Sequence, residues 1–188
     1  MPLPGGRPRY LPAEDTDLLR EALERFSGDS CLEIGFGSGA VLASASGRFR
    51  LAVGTDVVAL EDARLAIRAR AQLVLADKAT CFRDGVFDVV FFNPPYLPSE
   101  TLEDEAVDGG PTGVEVPVSF LEDGLRVLRE GGVIIALLST EGDVGSFLAH
   151  CASLGLLVEP IAEKRLFYET LSVFRIQRGG GDWPSRQS

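Results

Sequence analysis

The sequence predicts a doubly wound α/β fold, a seven-stranded, mostly parallel sheet with one antiparallel strand near the C-terminus. Three observations lead there. Short apolar runs alternate along the chain with segments of helical apolar periodicity. Two of the runs, Phe87–Phe92 and Gly132–Leu138, are almost continuously apolar, as strands buried on both faces of a parallel sheet are. A glycine turn, Gly35-Phe36-Gly37-Ser38-Gly39, sits where the first strand gives way to a helix.

The elements follow in order. Pro12 to Phe26 reads as an opening helix, with Leu18, Leu19, Ala22, Leu23 and Phe26 on one face and an i,i+4 pair, Glu21 with Arg25, on the other. Cys31–Ile34 is the first strand and Ala40–Ser46 the helix after the glycine turn; Arg50–Thr55 is the second strand and Leu60–Arg70 the next helix. Leu73–Ala76 and Phe87–Phe92 are the third and fourth strands. Pro117–Leu128 is a helix with Val118, Leu121, Leu125 and Leu128 inward, followed by the strand Gly132–Leu138 and the helix Asp143–Ser153. The last strands, Leu156–Ile161 and Glu169–Gln177, are joined too tightly for a helical crossover and are expected to pair antiparallel, reversing one strand at the far end of the sheet. Residues 1–9 are expected to be flexible, 10–178 to form one domain, and 179–188, with Trp183, to form a disordered tail.

Composition narrows the function classes. The chain has 188 residues, 45% of them hydrophobic, enough for a proper core. No apolar run approaches the ~20 residues that span a bilayer, and the start lacks the apolar stretch of a signal peptide. Three isolated cysteines (Cys31, Cys81, Cys151) suggest neither a disulfide framework nor a metal site, and point to a reducing, cytoplasmic setting. A single histidine, His150, argues against Ser-His-Asp or multi-histidine metal chemistry and is expected at a helix C-terminus. The net charge of −10 argues against nucleic acid as a partner, since duplexes are bound through basic faces. The cluster Arg64, Arg68 and Arg70 reads as a solvated helix face.

The glycine turn is G-x-G-x-G at Gly35, Gly37 and Gly39, not the G-x-G-x-x-G of dinucleotide binders. Three acids stand around it: Glu33 at the end of the first strand, Asp56 at the end of the second, 21 residues after Gly35, and Asp77 at the tip of the third. Asp56 suits a ribose diol and Asp77 an adenine amino group. Such a set repels a pyrophosphate and suits a nucleoside bearing a sulfonium and an ammonium, so S-adenosylmethionine fits this Rossmann-like site better than NAD.

Directly after the fourth strand comes Asn93-Pro94-Pro95-Tyr96. A plain Asx-Pro turn ending a strand is the simpler reading. The two prolines also fix a rigid clamp in which the Asn93 side-chain oxygen and the Pro94 carbonyl each accept an N–H, with Tyr96 as an aromatic plate. That clamp suits a planar group carrying an NH2. No catalytic base stands out beside it. Phe167 and Tyr168 read as core residues, with the acceptor pocket as the alternative.

The segments Leu32-Glu33-Ile34-Gly35-Phe36-Gly37-Ser38-Gly39 and Asn93-Pro94-Pro95-Tyr96 resemble class I methyltransferases that alkylate planar NH2 groups. Pro12-Ala13-Glu14-Asp15-Thr16, the loop Gly109-Gly110-Pro111-Thr112-Gly113-Val114-Glu115-Val116, and Glu169-Thr170-Leu171-Ser172-Val173 resemble the eukaryotic and archaeal release-factor glutamine methyltransferases. The resemblance implies methylation of the glutamine of a Gly-Gly-Gln motif in a class 1 translation termination factor. It implies cofactor contacts at Thr16, Glu33, Gly35, Asp56 and Asp77 and a substrate clamp at Asn93 and Pro94. It also implies a small zinc-binding activator subunit on the edge strand Leu73–Ala76, which an independent observation favours. Only about ten residues follow that strand before the next, too few for a covering helix. Adenine-N6 or guanine-N2 methylation of nucleic acid, and protein lysine methylation, are the alternative activities.

Overall fold

A computed structural model describes residues 14–58, 71–95, 111 and 113–180. Its elements are α1 (Glu14–Leu23), β1 (Gly28–Ile34), α2 (Ala40–Ala45), β2 (Phe49–Asp56), β3 (Gln72–Leu75), β4 (Phe87–Phe92), α3 (Glu115–Val127), β5 (Leu128–Ser139), α4 (Val144–Ser153), β6 (Leu156–Arg165) and β7 (Thr170–Arg178). One seven-stranded sheet runs in the order β3-β2-β1-β4-β5-β7-β6. Strands β1 to β5 pair in parallel, and β7 runs antiparallel to both of its neighbours, β5 and β6. The fold is therefore the mostly parallel, doubly wound sheet the sequence predicts. The reversed strand lies one place in from the edge rather than at it. The expected helix over 60–70, with Arg64, Arg68 and Arg70, and Trp183 fall outside the described residues.

Alternation along the central strands builds a core on each face. Val89 and Phe91 of β4 pack with Leu18, Leu19 and Leu23 of α1 and with Leu42 of α2. Val90 and Phe92 point the other way, against Leu121 of α3 and Phe147 and Cys151 of α4. Both faces of β4 are covered, so a one-residue slip would drive each set of side chains into the core shaped for the other and is strongly disfavoured. Asp88 is the polar exception in β4. It is buried at the sheet's opposite end, where it accepts the Ser30 N–H at 2.7 Å and forms an ion pair with Arg129.

The surface pairing differs in detail from expectation. The helix-face ion pair on α1 is Asp17 with Arg20, while Arg25 donates to the Ile161 carbonyl at 3.4 Å, where β6 carries an irregularity in its pairing with β7. His150, in the last turn of α4, contacts Glu122 of α3 at 3.1 Å. No helix among the described residues is long and apolar enough to cross a membrane.

Residues 76–86, between β3 and β4, contain no helix, and the Arg126 side chain makes several of the bonds that hold them. The Arg126 guanidinium donates to the carbonyls of Ala79 (2.7 Å) and Phe82 (2.8 Å) and to Asp84 and Asp123. Asp123 also accepts the Ala79 N–H at 2.6 Å. The group is a third exposed, so screening lowers its worth. Arg126→Ala is expected to cost about 2 kcal/mol for the charge-assisted bonds lost, read as a lower urea midpoint at unchanged slope. A loss under about 0.5 kcal/mol, the usual surface scatter, would show that this connection is held by something else.

Candidate active site

The glycine turn is built against β2. Beyond Ile34 the chain bends, and the N–H groups of Gly35 and Phe36 both reach the Thr55 carbonyl, at 2.8 and 3.1 Å. Gly35, Gly37 and Gly39 take φ of 73°, 49° and 74°, the left-handed region that side chains disfavour. Phe36 folds back onto β2, where a Cβ on Gly54 would sit 2.7 Å from Leu42 Cδ2 and 3.1 Å from Phe36 Cβ. The bend thus depends on a fourth glycine that lies outside the motif.

The three acids occupy unlike environments. Asp56 staples the bend, its two oxygens accepting the Gly37 N–H at 2.9 Å and the Val58 N–H at 3.0 Å. About two of its four lone-pair positions are left for hydroxyl donors. Asp77 is exposed and paired with Lys78 Nζ at 2.7 Å; Lys78 is the one non-glycine with positive φ among the described residues. Ala76 joins the tips of β2 and β3 through its N–H to the Asp56 carbonyl, 2.9 Å. Glu33 is 3% exposed, and its Oε2 has no hydrogen-bond partner. Burial holds its carboxyl well above the ordinary range, with the Leu42 N–H pulling down and the Asp56 charge adding to the rise. A buried acid in that state has room for one more partner, and a cation suits it best.

The clamp stands beside the bend. Ile34 of β1 is the register partner of Phe92 of β4, and neighbouring strands lie about 4.8 Å apart. Gly35 and Asn93 therefore leave the sheet together. Pro94 is buried and Asn93 and Pro95 half-buried; Tyr96 lies outside the described residues, as do Gly109, Gly110 and Thr112. Asn93 Nδ2 donates to Asp15 Oδ2 at 2.8 Å, and the Thr16 N–H to Asp15 Oδ1 at 2.7 Å. Thr16, expected on the cofactor side, is thus a buried neighbour of the clamp. Asp15 carries no role in the sequence reading, yet the signal was present. It lies three and four residues before Leu18 and Leu19, on the apolar face of its own helix.

Phe167 and Tyr168 are not core residues. They are 91% and 86% exposed and stack edge to face on each other, centroids 4.7 Å apart, at the turn between β6 and β7. The ladder closes at Arg165 and Thr170, and the Leu166 N–H bonds the Glu169 carbonyl at 2.8 Å, so the two rings sit at the tip of the hairpin. Contacts of Ser139 with Glu169 and of Lys164 with Glu14 fix the hairpin to β5 and to α1.

Glu33 supplies a pH test. The folded protein keeps a proton that the unfolded chain releases near pH ~4.3, so this contribution to stability is full below that value and fades as pH rises through the raised one. As pH rises above the ordinary carboxyl value, urea midpoints of the ligand-free protein should fall in excess of those of Glu33→Gln, which cannot ionise. Identical slopes for the two proteins would mean that Glu33 is not held neutral.

No protein-family model matches the chain. A Methanocaldococcus jannaschii protein named as a protein N5-glutamine methyltransferase is 32% identical over 182 residues, covering 90% of this chain and 91% of its own. Mouse methyltransferase HEMK2 is 31% identical over 192 residues, covering 90% and 89%. Among solved structures, that of the E. cuniculi Mtq2-Trm112 complex, responsible for the methylation of the eRF1 translation termination factor, has a chain that superposes with a TM-score of 0.73 at 26% identity, covering 90% of this chain and 98% of that one. With about a third of its residues shared across nine-tenths of its length, this chain belongs to the protein N5-glutamine methyltransferase family.

Proposed function

We propose that this protein methylates the side-chain amide of the glutamine in the Gly-Gly-Gln motif of a class 1 release factor, with S-adenosylmethionine as donor. The observation that carries the reading is the register of β1 and β4, which sets the glycine bend and the Asn93-Pro94 clamp side by side. The donor set fits the cofactor. The buried Glu33 Oε2, lacking a partner, suits the methionyl ammonium; the remaining lone pairs of Asp56 suit the ribose diol, and Asp77 the adenine amino group. Thr16, Gly35, Gly37 and Gly39 complete the wall. When bound, the cofactor supplies a sulfonium methyl, which passes to the acceptor nitrogen while the carbon–sulfur electron pair stays on sulfur and the nitrogen sheds one proton to water.

A carboxamide nitrogen is a poor nucleophile because its lone pair is delocalised into the carbonyl. The protein's part is therefore placement. Asn93 Oδ1 and the Pro94 carbonyl accept the two N–H bonds and turn the lone pair toward the methyl, and Tyr96 is assigned the role of an aromatic plate for the planar amide. The acidic chain, at −10, lends no support to a nucleic-acid acceptor. A cytoplasmic setting belongs to the same reading, since its substrate acts in translation.

A small zinc-binding activator subunit is proposed to cover β3. That strand ends the sheet, Leu75 is 66% exposed, and no helix follows before β4. An apolar edge with no strand beyond it among the described residues is a pairing surface.

Two tests separate the readings. Labelled methyl should enter a release-factor domain, and none should enter the same domain with Gly-Gly-Ala in place of Gly-Gly-Gln; transfer to an oligonucleotide or to lysine instead would overturn the reading. Asn93→Ala should lower kcat by about 10²–10³ while cofactor affinity, by titration calorimetry, moves less than about threefold. Equal loss of both would make Asn93 a structural residue.

A further inference from the structure

We infer that Asp15 is a positioning residue for the reaction, acting through Asn93 to set which edge of the Asn93 amide meets the acceptor and to strengthen that edge as a hydrogen-bond acceptor. The inference rests on the reading of Asn93 as the acceptor clamp.

An ionised carboxylate has no donor, so only the NH2 of Asn93 can lie 2.8 Å from Asp15 Oδ2. The amide is planar, and its carbonyl oxygen is therefore turned away from Asp15. An unrestrained Asn is a roughly two-fold rotor about its last torsion. The flipped form would present an NH2 to the NH2 of the substrate. Orientation alone accounts for little, since two equal rotamers cost about twofold in population. Polarisation accounts for more. A hydrogen bond to a charged acceptor is about twice as strong as a neutral one. Pulling on the N–H side of an amide shifts electron density onto its oxygen, so linked bonds reinforce each other. As positive charge gathers on the acceptor nitrogen, Asn93 Oδ1 meets it with more negative charge than an isolated amide carries.

The surroundings keep Asp15 in this role. It is 4% exposed, in the first turn of α1, where the helix dipole favours an anion, and its second oxygen takes the Thr16 N–H at 2.7 Å. Leu18, Leu19 and Leu23 anchor the helix in the core, and the Glu14–Lys164 pair ties its first turn to β6. Asp15 meets the NH2 edge of Asn93, whereas the clamp reading gives the oxygen edge to the acceptor, so Asp15 acts through Asn93 and not as a base at the reacting nitrogen.

The test is a double-mutant cycle of Asp15→Asn and Asn93→Ala, with kcat and KM on a release-factor domain, cofactor affinity by calorimetry, and affinity for that domain without cofactor. Asp15→Asn keeps the shape and removes the charge. It should lower kcat about tenfold, below the 10²–10³ of a direct contact, with both affinities within about threefold. In the Asn93→Ala background it should cost nothing further. Should Asp15→Asn fail to fold, Asp15→Ser, which leaves room for a water on the Thr16 N–H, should show the same pattern. Full kcat in the variant overturns the inference, as do a matching loss of cofactor affinity or an undiminished effect without Asn93. Normal turnover in Asn93→Ala alone would instead remove the clamp reading on which the inference stands.

Discussion

The parallel register that sets Ile34 beside Phe92 is the constraint on which the rest of the molecule depends. It is enforced by apolar packing on both faces of β4. Phe91 is buried among the α1 and α2 side chains and Phe92 among those of α3 and α4. Because side chains alternate along a strand, a slip by one residue would exchange the two cores. The distance between the glycine bend and the clamp is therefore set by hydrophobic fit, and the prolines after Asn93 carry that precision into the loop.

The carboxylates of the site sit in unlike surroundings. Asp56 spends two lone pairs on backbone N–H groups of the bend and its own turn. Asp15 takes one backbone N–H and the Asn93 amide. Glu33, with no such partner for Oε2, is pushed toward its protonated form. Asp77 remains in solvent beside Lys78. In the proposed reading, a ligand carrying positive charge would relieve Glu33 first, coupling its binding to proton release at that residue.

Much of this was legible in the sequence, and the misses have physical causes. The strand–turn–helix around Gly35 and the apolar run Phe87–Phe92 are local signals, and both elements form as expected. β6 runs on to Arg165 because ladder pairing with β7 extends it through Glu163 and Lys164, charged residues that hide strand periodicity at a sheet edge. β5 begins early, at Leu128, because it pairs with Phe87 across an irregularity near Gly131. Gly54 carries no motif; its need appears only once Phe36 lies over β2. Phe167 and Tyr168 look like core residues by composition, and only the hairpin topology puts them outside. Asp15 is the instructive case. Its apolar-face position was visible, but its meaning required Asn93, which is distant in sequence and adjacent in space.

The most direct measurement is a crystal structure with S-adenosylhomocysteine and a Gly-Gly-Gln peptide bound. The expected result has the glutamine nitrogen about 3 Å from Asn93 Oδ1 and from the Pro94 carbonyl, with its lone pair aimed at the sulfur across a gap that a methyl fills at near-attack spacing, ~3–3.5 Å from nitrogen to carbon. A nucleoside bound away from the glycine bend, or a sulfur lying more than about a dozen ångströms from Asn93, far outside that spacing, would contradict it.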